Sequence, residues 1–248
     1  MAANQERVPL ADLGTVLGVW AHPDDEAFLS AGVMAQVTAS GRRVVVVTAT
    51  YGELGDTDAY PYEKDRMAAV RRHELAASLA AVGVSEHRSL GFADGGCAGV
   101  DAGHAADAIA RIIDEVRPDT ILTFGPDGMT GHPDHQAVSA WTTAAWRTTG
   151  RRARLLYATL TPKELAQWED VHERFGGVWM SGTGPCTDED AVAIRLDLTG
   201  DVLDRKMVAL RAQATQTTGL LQALGPDAFA SLCATESFVE APVPGGDG

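Results

Sequence analysis

Four consecutive valines, Val44-Val45-Val46-Val47, constrain this chain more than any other stretch. A strand with one face in water alternates apolar and polar residues, so an unbroken β-branched run belongs in a strand covered on both faces, as in a parallel sheet. Val16-Leu17-Gly18-Val19-Trp20-Ala21 is a second such run and Thr120-Ile121-Leu122-Thr123-Phe124 a further strand. Helical patterns follow them. Asp25 to Ala39 carries an apolar stripe of Phe28, Val33, Met34 and Val37 and stops at Ser40-Gly41; Asp65 to Val82, Ala105 to Val116 and Asp134 to Thr148 also read as helices, with a short strand at Arg88 to Phe92. Strand and helix in alternation predict an α/β fold, a Rossmann-like doubly wound and mostly parallel sheet, whose ligands sit outside the carboxyl ends of the strands.

The later part is less regular. Strands at Leu155 to Leu160 and Ala193 to Leu198, a helix at Pro162 to Arg174 and a last long helix at Asp201 to Thr215 give the sheet a C-terminal extension. The organisation expected is an N-terminal segment at 1–12, a single domain at 13–240 and a flexible tail at 241–248.

Charge narrows the partners. With 34 Asp and Glu against 20 Lys and Arg the net charge is -14, which opposes nucleic acid and anionic lipid and suits a small-molecule substrate. No run reaches the ~20 apolar residues of a membrane span, and Met1 to Leu10 lacks the basic head and apolar core of a leader, so a cytoplasmic location is expected. Cys97, Cys186 and Cys233 are three, widely spaced and without a CxxC pair, which argues against a disulfide framework or a thiolate metal site. A homo-oligomer is compatible with all of this.

Chemistry concentrates at two strand ends. His22-Pro23-Asp24-Asp25-Glu26 places an imidazole and three carboxylates together, and Gly131-His132-Pro133-Asp134-His135 repeats His-Pro-Asp after the strand at 120–124. Asp24 and Asp25 could merely cap the helix that follows. Crowded carboxylates facing imidazoles are otherwise stabilised by a cation. Two nitrogens and one carboxylate oxygen, with a fourth position left for water, form a hydrolytic zinc site, which His22, Asp25 and His135 can supply. Asp24, beside a ligand, is the candidate base, and His132 the candidate donor to an oxyanion or leaving amine.

With both motifs intact, residues 13 to 240 resemble the LmbE-like, or PIG-L, family of zinc-dependent N-acetylglucosaminyl deacetylases. The resemblance implies Zn2+ held by His22, Asp25 and His135, Asp24 as general base, His132 in transition-state stabilisation and protonation, and an N-acetylated amino sugar as substrate. Gly52-Glu53, Arg71 and Gly91-Phe92-Ala93-Asp94-Gly95 also match, which implies substrate contacts at Glu53, Arg71 and Asp94. Two positions depart from the pattern. Gln213 stands where a late helix commonly carries histidine, and Thr130 where members acting in the mycothiol pathway tend to carry tyrosine; both are expected to mark the substrate pocket. A receiver-like phosphoacceptor would not need the three histidines, and a dinucleotide-binding protein would carry a glycine-rich loop where this chain has His-Pro-Asp-Asp-Glu. A catalytically impaired sugar-binding homologue and an amidase for another acylated amino-sugar conjugate are the competing readings.

Overall fold

The structure is a computed structural model that describes residues 13–55 and 59–242. The expected N-terminal segment at 1–12 lies outside the described residues, as does the expected tail beyond Pro242.

Among the described residues, seven strands form one sheet: β1 (Val16–Trp20), β2 (Val44–Thr48), β3 (Glu86–Ser89), β4 (Thr120–Phe124), β5 (Arg154–Thr159), β6 (Ile194–Asp197) and β7 (Thr235–Glu240), in the order β3-β2-β1-β4-β5-β7-β6. Every residue of β1, β2 and β4 is buried, which explains why those runs show no alternation. The first five strands pair in parallel, with Val16 opposite both Val44 and Thr120. Strand β7 runs antiparallel between β5 and β6.

The helices are α1 (Asp25–Ala39), α2 (Lys64–Ala81), α3 (Ala102–Val116), α4 (Gly128–Gly131), α5 (Pro133–Thr148), α6 (Pro162–Phe175), α7 (Gly200–Ala212), α8 (Ala214–Leu224) and α9 (Pro226–Leu232). Helices α1 and α2 pack on α7, and α3 packs on α5. From β1 the chain winds out to β3 on one side, then returns to β4 and continues to β5 on the other. The order reverses between β1 and β4, and the crevice above such a reversal is where doubly wound sheets bind ligands.

The structure revises the sequence reading in several places: the strand expected at Arg88 to Phe92 lies at Glu86–Ser89, where it pairs with β2, and α9 adds a helix that the sequence reading lacks. The helix expected to run to Thr215 ends at Ala212, because Gln213 leaves helical geometry (φ -82°, ψ 46°) and α8 starts after it. Strand β7 went unread because its buried centre includes Glu236 and Ser237, which break an apolar pattern.

Candidate active site

The two histidine motifs sit on either side of the reversal. His22 follows β1, and the loop after β4 leads through the short α4 to His132, the N-cap of α5, and to His135 in its first turn. Asp24 precedes α1 with φ 111°, a conformation strained for a side-chain-bearing residue, and makes no side-chain cap to the helix. Capping therefore does not account for Asp24. Its backbone N–H donates to Glu26 Oε2 (3.0 Å). Fully buried Glu26 also accepts from Ser78 Oγ (3.0 Å) and Gln213 Nε2 (2.8 Å).

His22 Nδ1 lies 3.1 Å from His135 Nε2; Asp25 Oδ2 is 3.7 Å from the former and Asp25 Oδ1 3.3 Å from the latter. The outer partners assign the tautomers. His135 Nδ1 donates to Gly128 O (2.9 Å), which leaves Nε2 a lone pair, and the ring stacks on Phe124 at 4.2 Å. His22 Nε2 faces Asp94 Oδ1 (3.0 Å) and Asp134 Oδ2 (3.3 Å), so the proton belongs on Nε2 and the Nδ1 lone pair turns inward. Asp25 Oδ2 accepts from the amides of Ala21 (3.2 Å) and His22 (2.8 Å), which leaves Oδ1 toward His135. His22 Nδ1 and His135 Nε2, with the Asp25 carboxylate beside both, repel one another unless a proton or a cation lies among them, so these side chains could hold a metal ion; His22 with His132 and His135, and His22 with Asp94 and Asp134, are further clusters with metal-ligand spacing among the described residues.

Without a metal ion the site holds a proton in its place, and a cation at His22 Nδ1 would displace it. Burial disfavours an imidazolium at His22, yet hydrogen bonds to Asp134 and Asp94 and the nearby Asp25 charge override it and raise its pKa to about 10. Burial, then the His22 charge, lowers His135 to about 4. Burial raises Asp24, opposed chiefly by Arg71, whose Nη2 is 3.4 Å from Asp24 Oδ2. His132 is lowered by burial and by the neighbouring histidines; its Nδ1 accepts from the Asp134 amide (3.1 Å), so the neutral ring carries its proton on Nε2.

The site opens into a cavity of about 540 Å³ lined by His22, Asp24, Asp25, His132 and His135, with Arg71, Asp94 and Thr130 at its wall. Each expected substrate-contact residue also has a protein partner. Arg71 donates to Gly52 O (2.9 Å) and Pro23 O; Gly52 has φ 63°, and a Cβ there would fall on the guanidinium. Asp94 holds His22 and accepts from the Leu54 amide (2.8 Å). Glu53 accepts from the Asp94 amide (2.9 Å) and does not line the cavity. Thr130 lines the cavity as expected, whereas Gln213 does not; it is fully buried beneath Asp24 and bonded to Glu26. Asp134, which faces His22 Nε2, and Glu26, which accepts from the Asp24 amide, lie inside the two motifs but have no role in the sequence reading.

Residues 17–146 match the PIG-L family, described as GlcNAc-PI de-N-acetylase. This chain belongs to the PIG-L family. The 1D-myo-inositol 2-acetamido-2-deoxy-alpha-D-glucopyranoside deacetylase of Saccharomonospora viridis is 35% identical over 246 residues, covering 87% of this chain and 88% of that protein. Among solved structures, N,N'-diacetylchitobiose deacetylase from Pyrococcus horikoshii aligns with a TM-score of 0.64 at 20% identity, over 94% of this chain and 86% of that one. The 4-carboxy-2-hydroxymuconate hydratase of Pseudomonas putida aligns at 0.61 and 16% identity, over 95% and 99% of the two chains. A deacetylase and a hydratase on one scaffold mean that the fold does not select the reaction, so function has to be argued from side chains.

Proposed function

We propose that this PIG-L family member is a zinc-dependent amide hydrolase that removes the N-acetyl group from an N-acetylglucosamine-containing small molecule. The observation that carries this reading is the convergence of His22 Nδ1, His135 Nε2 and Asp25 Oδ1 next to the uncapped, strained Asp24. His22, Asp25 and His135 would hold the zinc. When bound, zinc supplies a Lewis acid that polarises a carbonyl and acidifies water.

Asp24 takes the proton of the attacking water, its basicity raised by burial, while Arg71 holds the carboxylate in place. His132, neutral and with Nδ1 engaged by the Asp134 amide, presents Nε2–H to the oxyanion, and the departing nitrogen receives the proton that Asp24 took from the water. The water oxygen joins the acyl carbon, the C–N bond breaks, and the products are acetate and a free amine. Asp94 and Arg71 face the sugar from the cavity wall while steadying His22 and Asp24, and Glu53 supports Asp94 from behind. The names of the relatives support the same class of substrate.

The test measures zinc content and acetate release together. Asp24→Asn keeps the metal and the side-chain shape and is expected to lose at least a hundredfold in kcat; His135→Ala is expected to lose both metal and turnover. Wild-type rates in Asp24→Asn would remove the base from this scheme.

A further inference from the structure

Asp24 occupies a backbone conformation that its own chemistry does not favour. At φ 111° and ψ -34° it lies outside the basins open to a residue with a Cβ, and its side chain makes no hydrogen bond to the start of α1, the ordinary role of an aspartate in front of a helix. Such strain persists only where the surroundings impose it. The peptide unit that joins Pro23 to Asp24 is gripped at both ends: Pro23 O accepts from the Arg71 guanidinium, and the Asp24 amide donates to Glu26 Oε2 (3.0 Å). Glu26 is in turn fixed from two other elements. Its Oε1 accepts from Ser78 Oγ of α2 (3.0 Å) and from Gln213 Nε2 (2.8 Å), and the side chain is fully buried.

Gln213 is placed for this contact. It interrupts the helical run between α7 and α8, and its backbone is tied to both: its amide donates to Leu210 O (3.1 Å), while its carbonyl accepts from the amides of Gln216 and Thr217 (both 3.0 Å) and from Thr217 Oγ1 (3.1 Å). Its side chain is fully buried with Oε1 lacking a partner, so the bond from Nε2 to Glu26 is what the side-chain amide contributes. Neither Glu26 nor Gln213 lines the cavity. Resting on the proposed deacetylase reading, we propose that Gln213 is a positioning residue for the base: through Glu26 it holds the Asp24 amide, and with it the strained turn that keeps the Asp24 carboxylate at the cavity and off the end of α1.

Gln213→Met removes the donor and keeps the length of the side chain, and Gln213→His restores an N–H of similar reach. In acetate release from N-acetylglucosamine by the zinc-loaded protein, Gln213→Met is expected to lower kcat about tenfold or more, with KM and zinc content within about twofold of wild type, and Gln213→His to recover most of the rate. In an Asp24→Asn background Gln213→Met is expected to cost less than about twofold, because the base it positions is already gone; a purely structural role would give the same loss in both backgrounds. Amide exchange followed by NMR reads the hold without turnover. The Asp24 amide of Gln213→Met should exchange about tenfold or more faster than in wild type, with the Ala49 amide, bonded to Trp20 O, unchanged. Should Gln213→Met fold poorly, Ser78→Ala takes away the other donor to Glu26 Oε1 and is expected to show the same pattern at smaller size. An unchanged kcat, an equal loss in both backgrounds, no recovery with Gln213→His or an unchanged Asp24 exchange rate overturns the proposal and leaves the deacetylase reading standing. Faster Asp24 exchange with no acetate from wild type or any variant sinks the deacetylase reading and leaves the hold on Asp24.

Discussion

At the scale of single residues, the centre depends on atoms that already have partners. Asp25 commits one oxygen to two backbone amides, His135 commits Nδ1 to Gly128 O, and His22 commits Nε2 to Asp94 and Asp134, so only the inward atoms remain for a ligand. It follows that Asp94→Asn, which weakens the acceptor for His22 Nε2–H while touching no inward atom, should reduce metal affinity about 10- to 100-fold with the fold intact; competition with a chromophoric chelator reads this, and unchanged affinity would reject the orienting role. The motifs themselves were legible because His-Pro-Asp occurs twice at strand ends. The role of Gln213 was not, since a position in sequence does not show that a glutamine faces Glu26 beneath the site and not the cavity. The cysteines give a simpler expectation. Burial raises the Cys233 thiol to about 12 and also raises Cys97, whereas Cys186 is exposed. Iodoacetamide at pH 8 should label Cys186 of the folded protein and spare the other two until denaturant is added, as peptide mass mapping would show.

At the scale of elements, α1 carries Asp25 and is fixed by an ion pair set into its own ladder. Glu236 of β7 accepts from the Gly32 and Val33 amides (2.7 and 2.9 Å), and Lys206 of α7 donates to Phe28 O (2.7 Å) and to Glu236 (2.8 Å), with both side chains fully buried. Gly32 makes room for this, since a Cβ there would approach Leu198 Cδ2 to 2.5 Å and Glu236 Oε2 to 3.1 Å. Lys206→Met leaves a buried carboxylate without its cation and should cost about 3–5 kcal/mol in urea unfolding. Lys206→Met combined with Glu236→Gln should recover part of that, because no net charge is then stranded; a single variant within about 0.5 kcal/mol of wild type would show that the pair does not hold α1. Here the limits of sequence reading have a physical cause. The buried runs of β1, β2 and β4 announce themselves, whereas β7 is buried through a glutamate whose partner is 30 residues away, and no local pattern encodes that.

At the scale of the whole molecule, the fold brings two loops more than 100 residues apart to one point by placing β1 beside β4. Three carboxylates, Asp24, Asp25 and Glu26, are raised above their ordinary pKa by burial in a chain that already carries a net charge of -14. Such a site makes the folded state costly until a cation enters, and the unfolded chain cannot assemble the same ligands. Zinc at a hundredfold excess over its Kd should therefore add about 2.7 kcal/mol of stability. For a chain of this size each kcal/mol moves Tm by about 2–4 °C, so the expected rise on going from chelator-treated to zinc-loaded protein is about 5–10 °C. His135→Ala should abolish the rise and Asp24→Asn should keep it, which separates a ligand from a base by calorimetry alone. A zinc-induced rise of the same size in His135→Ala would place the ion elsewhere, with Asp94 and Asp134 beside His22 Nε2 as the alternative set of donors to test.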